Sequence, residues 1–427
     1  MTNTIKTDIV IAGTGVGGLF CALHIPEDKN IILITKSELE ECDSYLAQGG
    51  ICMLKSDEDY ESYFEDTLRA GHYENNRESV DIMIRESQKI IGELVDYGVD
   101  FERNADGSFM FTKEGAHSTP RILFHEDITG HEITSKLLAA VKKLPNVTII
   151  EKLTMVDIVE NEGRCIGIIG RYEDNSMVEI KADYTVFATG GIGGLYKQST
   201  NYPHLTGDAL AISLKHGVEL LNIDYIQIHP TTLYSTKKGR CFLISESVRG
   251  EGAILFNSHM ERFIDELQPR DVVAQAILEQ MKKDGKPYVW LSMKPIPKDE
   301  ILSHFPNIYE RCMEEGYDVT KECIPVVPAQ HYFMGGIKVD SRARTSMPHL
   351  YAVGETACNG VHGKNRLASN SLLESLVWAK NAALDIISNY EENGYTPETD
   401  LKPYRRCDKN YKKEILSEIE REKMSHE

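Results

Sequence analysis

The run Thr7-Asp8-Ile9-Val10-Ile11-Ala12-Gly13-Thr14-Gly15-Val16-Gly17-Gly18, near the start of the chain, decides the fold. Ile9 to Ala12 is a short apolar stretch of the kind a buried strand requires. Glycines follow at once, and Leu19 to Ile25 is a second apolar run that continues as a helix. Strand, Gly-rich turn and helix in that order open a Rossmann-like α/β unit that binds a dinucleotide. Gly13 allows the tight turn, Gly15 lets a pyrophosphate approach the backbone, and Gly18 lets the helix lie on the strand. All six residues Gly13, Thr14, Gly15, Val16, Gly17 and Gly18 are therefore candidate cofactor contacts. A second strand, Asn30 to Thr35, comes at the spacing the unit needs. It ends on Thr35-Lys36 where an NAD site carries an acidic residue for the ribose, which disfavours NAD.

The rest of the chain narrows the field. Its 427 residues, 41% hydrophobic and 26% charged, suffice for two or three domains with substantial cores. A formal net charge of -19 speaks against nucleic acid or an anionic membrane as partner, but not against a small anion in a locally basic cleft. Nine cysteines stand without any Cys-x-x-Cys pair, so no zinc or iron–sulfur site is signalled and reduced thiols are expected. No apolar run approaches the roughly 18 residues that cross a bilayer. A soluble, cytoplasmic protein with no metal and no membrane partner is the expectation.

Toward the other end lies Val361-His362-Gly363-Lys364-Asn365-Arg366-Leu367-Ala368-Ser369-Asn370-Ser371-Leu372-Leu373-Glu374. The pattern predicts a helix starting between Ser369 and Ser371 and running through Ile387. Its unpaired N–H groups favour an anion, or a ring that gains negative charge, so Ser371 and Leu372 are candidate cofactor contacts and Ser369 a substrate contact. Arg366, one turn earlier, can grip a carboxylate with two parallel hydrogen bonds.

Between these ends, Asp57 to Val99 reads as helical scaffold, and Thr129 to Lys143 as helix leading to strand Val147 to Glu151. Met155 to Asp183 reads as a strand-rich meander. Tyr184 to Phe187 then ends in Ala188-Thr189-Gly190-Gly191, where glycines again admit a cofactor. Asp208 opens a further apolar helix and reads as its N-cap, a role that does not exclude contact with a cofactor. Ile226-Gln227-Ile228-His229-Pro230-Thr231 alternates as a strand does, with Gln227 and His229 on one face.

Asp43-Ser44-Tyr45-Leu46-Ala47-Gln48-Gly49-Gly50, taken with Thr35-Lys36, resembles the flavoprotein subunits of succinate dehydrogenase and fumarate reductase and their soluble relative L-aspartate oxidase. The resemblance covers nearly the whole chain to about Asn393. It implies FAD, a capping domain inserted into the FAD-binding domain, and a further helical domain that this sequence largely lacks. The implied boundaries are 1–222 and 332–395 for the FAD-binding domain, 223–331 for the capping domain, and 396–427 for a charged, short helical tail read as a solvated end. In the respiratory enzymes a His five residues before the Gln bonds covalently to the flavin. Here that position is Asp43, which implies non-covalent FAD.

Within the same resemblance, Glu114 of Lys113-Glu114-Gly115-Ala116-His117-Ser118 is linked with the substrate's amino group. Family members carry Arg and Gly where this chain has Lys113 and Ala116. Ser245 stands where a Thr is common, Arg270 matches the active-site arginine, His331 beside Gly335-Gly336 is a further cation candidate, and Glu355 follows a strand as an FAD contact. Arg366, His331 and His229 would hold two carboxylates, with Gln227, Ser245 and Ser369 beside them. Arg270 is the acid/base candidate, although an arginine is a poor base at neutral pH.

The implied activity is oxidation of L-aspartate to iminoaspartate by hydride transfer to flavin N5, with O2 or fumarate as acceptor. It would be the first step of NAD biosynthesis, with quinolinate synthase downstream. Alternatives are a fumarate reductase or succinate dehydrogenase-type flavoprotein, a non-catalytic FAD-binding protein such as an RNA-modification subunit, or a structural interaction protein. Asp43 and Glu114 disfavour the first, the acidic charge and the Arg/His set the second, and the Gly-rich turns the third.

Overall fold

The computed structural model describes residues 4–237, 239–394 and 399–426. Its opening unit is β1 (Thr4–Ala12), α1 (Val16–Leu23) and β2 (Ile31–Ile34). β1 pairs in parallel with β2 on one side and with a strand distant in sequence on the other. Both faces of β1 are covered, which is why Ile9, Val10 and Ile11 are fully buried and the run is apolar throughout. Sterics dictate the turn. Gly13 sits at φ +120°, and a Cβ there would lie 2.0 Å from the carbonyl oxygen of Ala188. A Cβ on Gly18 would lie 2.0 Å from the carbonyl oxygen of Gly13.

β3 (Ile51–Cys52), α2 (Tyr60–Ala70), α3 (Arg77–Asp96), β4 (Ile122–Leu123) and α4 (Thr129–Val141) follow. The side chain of Asn76 caps α3 by accepting from the N–H groups of Glu78 and Ser79. β5 (Val147–Ile150) extends the parallel row beyond β2. β6 (Leu153–Asn161) and β7 (Arg164–Tyr172) form the antiparallel meander and lead into β8 (Met177–Phe187), which returns beside β1. α5 (Asp208–Lys215) and the short β9 (Leu220–Leu221) complete this part.

The chain then builds a second layer from β10 (Ile226–Leu233), β11 (Phe242–Leu243), α6 (Glu246–Gly250), β12 (Ile254–Phe256), α7 (Arg270–Asp284), β13 (Val289–Ser292), α8 (Lys298–His304), α9 (Pro306–Glu314) and β14 (Ile324–Phe333). Its sheet has the order β11-β10-β14-β13-β12, and Val273, Ile277, Leu291 and Ile308 belong to a core of its own. β15 (Gly336–Lys338), β16 (Leu350–Ala352) and β17 (Ala357–Cys358) return to the first layer. β15 joins β9 and β17 in a junction sheet, while β16 pairs in parallel with the end of β8.

The predicted late helix is α10 (Ser371–Ser388), which packs on α1 and α3 around the fully buried Trp378. Among the described residues no helix is long and apolar enough to cross a membrane. The expected boundary at 395/396 falls outside the described residues. Beyond it, the reading of a solvated charged end is corrected. In α11 (Tyr411–His426), Tyr411, Ile415 and Ile419 are buried in the core shared with α5 and β6, and Arg171 of β7 pairs with Asp408 at 2.5 Å. The three apolar positions recur every four residues, a helical stripe masked by the surrounding lysines and glutamates.

Gly18→Ala should lower the thermal unfolding midpoint by several degrees, because its new Cβ meets backbone. Gly92→Ala, inside α3 with nothing within 4 Å of an added Cβ, should leave the midpoint unchanged or raise it. Equal effects would contradict this account of the turn.

Candidate active site

One cleft, about 1690 Å³ of space including its mouth, runs between the two layers. Gly13, Thr14, Gly15, Val16, Gly17, Thr35, Lys36, Asp43, Ser44, Leu46, Ala47, Gln48, Gly49, Gly50, Ala188, Thr189, Gly190, Asp208, Glu355, Ser371 and Leu372 all line it. Gly18, Tyr45 and Gly191 stand behind the wall. Gly18 underlies the turn, Tyr45 packs edge-on against His131 with ring centroids 4.9 Å apart, and a Cβ on Gly191 would meet the Glu355 carboxylate.

The wall fits a dinucleotide. Gly15 is the N-cap of α1 in extended backbone and contributes no side-chain cap, so N–H groups of the first turn remain available to a phosphate, apart from that of Val16, which reaches Ser44 Oγ at 3.2 Å. At β2's end, Lys36 Nζ donates to Asp208 Oδ2 at 2.7 Å, and Thr206 Oγ donates to Asp208 Oδ1 at 2.7 Å. The carboxylate that the second strand lacks is thus supplied by α5. Asp208 is not the N-cap of that helix; Gly207, at φ +69°, is. Asp43 Oδ2 and Gln48 Oε1 are buried on this wall without a protein partner, as groups awaiting a ligand would be. Asn370, the N-cap of α10, spends its side chain on Tyr63 and Thr67 of α2, so the first turn of α10 keeps its N–H groups for the cleft.

At the other end of the cleft, Arg366 and Arg270 arrive from different layers. Arg366 Nη1 donates to Ser371 Oγ at 2.9 Å, its guanidinium lies 4.4 Å from the Tyr332 ring centroid, and its Nε has no partner. Burial and the neighbouring Arg270 lower its pKa to about 10. Arg270, the first residue of α7, donates from Nε to Glu246 and from Nη1 to Gln227 Oε1 at 2.9 Å. Gln227 does not reach the wall. It lies behind, donating to Asn365 Oδ1 and to the Arg366 carbonyl, each at 2.8 Å, and so joins the two arginines.

His229 and His331 line the cleft with ring centroids 5.1 Å apart. Expected as a cation, His331 is instead neutral: burial, then Arg270 and Arg366, push its pKa far down. Burial, Arg270 and His331 do the same to His229. His229 Nε2 is satisfied by the Ile244 carbonyl at 3.0 Å, leaving Nδ1 free, while Thr200 Oγ meets His331 Nδ1 at 2.7 Å.

Glu114 closes the site. Its carboxylate accepts from Ser369 Oγ at 2.5 Å and Ser247 Oγ at 2.9 Å and lies directly over Gly49. Burial and the charge of Glu246 raise its pKa, partly offset by Arg270 and the two hydroxyls. Ser369 holds φ +63°, a strained conformation for a serine, which delivers its hydroxyl to Glu114. Ser245 lines the cleft as the N-cap of α6.

Sequence reasoning missed Glu246, Arg249 and Tyr332. Burial disfavours the Glu246 charge, but Arg270 and Arg249 outweigh it and hold its carboxyl below the usual range. Glu246 and Arg249 stand one and four residues after Ser245. An acid and a base three residues apart on one short helix, with a second arginine to pair with the same acid, were the available signal.

Burial pushes the carboxyls of Asp43, Glu355 and Glu374 to about 7, about 8 and about 7, with Asp43 also raising Glu355. An unfolded carboxyl keeps its proton only below about pH 4. The folded chain therefore binds more protons between pH 4 and these values, and stability present below pH 4 is lost as pH rises through them. The depressed imidazoles act in the opposite sense only below about pH 6.5. Above about pH 6.5, where the imidazoles no longer oppose it, the cofactor-free protein should show a thermal midpoint that falls until about pH 8 and levels off beyond, and Asp43→Asn should flatten the fall. A midpoint that rises over this window would contradict the assignment.

Known proteins resemble this chain over most of its length. The family model "FAD binding domain" matches residues 8–372. An L-aspartate oxidase of Clostridium perfringens is 50% identical over 387 residues, covering 90% of this chain and 88% of that protein. One from Clostridium acetobutylicum is 46% identical over 413 residues, covering 95% of each. The chloroplastic L-aspartate oxidase of Oryza sativa is 38% identical, and this chain covers 64% of it. Among solved structures, E. coli quinol fumarate reductase superimposes with a TM-score of 0.86 at 29% identity, over 97% of this chain and 75% of that one.

Proposed function

The chain belongs to the L-aspartate oxidase family of FAD-dependent oxidoreductases, and from that premise we propose that its cleft oxidises L-aspartate to iminoaspartate, with fumarate or O2 as the final acceptor. The observation that carries the substrate reading is the pairing of opposite charges in one buried space. Arg366, with its unpartnered Nε, would take a carboxylate beside Arg270, and Glu114 stands near both to receive an ammonium group. A dicarboxylate without an amine would give Glu114 nothing to pair with.

FAD bound along the glycine-lined wall supplies the acceptor for the hydride leaving the substrate Cα. The chain's own residues do the rest. Arg366 and His331 hold one carboxylate while His229, through its free Nδ1, and Ser245 meet the other. Negative charge arriving beside the depressed imidazoles favours their protonation and so adds donors when the substrate is present. Glu114 fixes the amine and so would turn the single Cα hydrogen toward the cofactor. Arg270, aimed by Glu246 and Gln227, is placed to move a proton at the substrate, and Arg249 lies 3.5 Å behind Glu246. In fumarate reduction the same arginine would donate. The N–H groups of the first turn of α10 would favour a cofactor ring that becomes anionic on reduction.

Asp43, which offers no ring nitrogen to the flavin, supports a non-covalent cofactor. Oxidation of L-aspartate opens NAD biosynthesis, and we place quinolinate synthase as the consumer of the product. Glu114→Gln removes the charge that pairs with the amine. It should raise the KM for L-aspartate by roughly ten- to a hundredfold while fumarate reduction changes far less. Steady-state rates in the two reactions test this, and equal losses would remove the assigned role of Glu114.

A further inference from the structure

Glu114 is useful only if its carboxylate is held in register with the Ser369 turn and Arg366, and the loop that carries it is long. Thr112 and Ile122 exchange backbone hydrogen bonds at its base, at 2.9 and 3.2 Å; between them the backbone is held by Ala116 N–H to the Leu267 carbonyl at 3.2 Å, His117 N–H to the Glu114 carbonyl at 3.4 Å and Met53 N–H to the Arg121 carbonyl at 2.9 Å, and side chains supply the other ties. Most of those side chains anchor downward. Ser118 donates to Asp66, Thr119 to Asp59, and the fully buried Arg121 binds both acids, at 2.7 Å to Asp66 Oδ2 and 3.1 Å to Asp59 Oδ1. The same stretch of chain, through Tyr63, holds Asn370 at 2.8 Å.

His117 anchors sideways. Its Nδ1 meets Arg121 Nη1 at 3.0 Å, and its Nε2 meets the carbonyl oxygen of Ala368 at 3.1 Å. Arginine can only donate, so Nδ1 must be the acceptor and Nε2 must carry the proton it gives to Ala368. Burial, then Arg121, lower the His117 pKa to about 4, so this neutral tautomer persists across the working pH range. Ala368 directly precedes Ser369, the residue whose hydroxyl grips Glu114. The ring therefore stitches the Glu114 loop to the turn between Arg366 and α10.

We propose that His117 is a positioning residue for substrate specificity, holding Glu114 in register with Ser369 and Arg366 so that the site selects an amino dicarboxylate over a plain one. This rests on the reading of Glu114 as the partner of the amine. Two conservative variants separate the two ends of the ring. Gln at 117 reaches the Ala368 carbonyl with its amide N–H but gives up the Nδ1 position. Asn keeps an acceptor for Arg121 but does not reach Ala368.

The test compares L-aspartate oxidation, fumarate reduction and FAD affinity by fluorescence titration for the native protein, Glu114→Gln, His117→Gln and His117→Asn. His117→Asn should raise the KM for L-aspartate by roughly ten- to a hundredfold, with the KM for fumarate moved far less and FAD affinity unchanged. His117→Gln should stay close to native. If the Asn variant is near native and the Gln variant impaired, or if either loses both reactions and FAD together, the ring serves only to support Arg121 and the proposal is overturned. If Glu114→Gln is selective for L-aspartate but His117→Asn is not, the tie fails and the reading of Glu114 stands. If Glu114→Gln is not selective, that reading fails first.

Discussion

Two guanidinium groups share one buried cleft, and most of the architecture follows from making that tolerable. Removing an isolated charge from water costs several kcal/mol even after relaxation, and a second like charge nearby adds to it. Arg270 is compensated by Glu246 and Gln227. Arg366 has the face of Tyr332, the Ser371 hydroxyl and one unpaired nitrogen, and its depressed pKa records how incomplete that is. Each imidazole nearby stays neutral for the same reason. Such a space is poised for an anion, and Glu114, the carboxylate there held by two hydroxyls rather than by an arginine, is the group we propose restricts which anion fits.

The two layers exist to bring these groups together from opposite sides. Arg270, Glu246 and His229 ride on the second layer, whose separate core fixes them as a unit. Arg366, Ser369 and the start of α10 belong to the first, braced by α2 through Tyr63 and Asn370. The Gly-lined turn of α1 and the Lys36–Asp208 pair lie farther along the same cleft. One continuous wall therefore joins the cofactor-sized channel to the arginine-lined end, which is the geometry that hydride transfer between two bound molecules requires.

The parts of this that could be read from sequence were those set by local sterics or local chemistry. Gly13 and Gly18 announced the turn because no other residue avoids the backbone of Gly13 and Ala188. Ser369 to Ser371 announced the start of α10 through its polar residues before an apolar run. What stayed hidden depends on residues meeting across the fold. Asp208 supplies a carboxylate to Lys36 at the end of β2 from 172 residues farther along the chain. Gln227 was placed on the wall but works behind it. Arg121 and His117 gained their meaning only from Asp59, Asp66 and Ala368, and α11 hid its apolar stripe among charges.

The central claim is that a non-covalent flavin in this cleft takes electrons from an amino dicarboxylate. The most direct test is anaerobic addition of L-aspartate, succinate and D-aspartate, separately, to the purified yellow protein while its visible absorbance is followed. The account predicts bleaching by L-aspartate alone, with free FAD released on denaturation. Bleaching by succinate but not by L-aspartate would contradict it and assign the cleft to plain dicarboxylates.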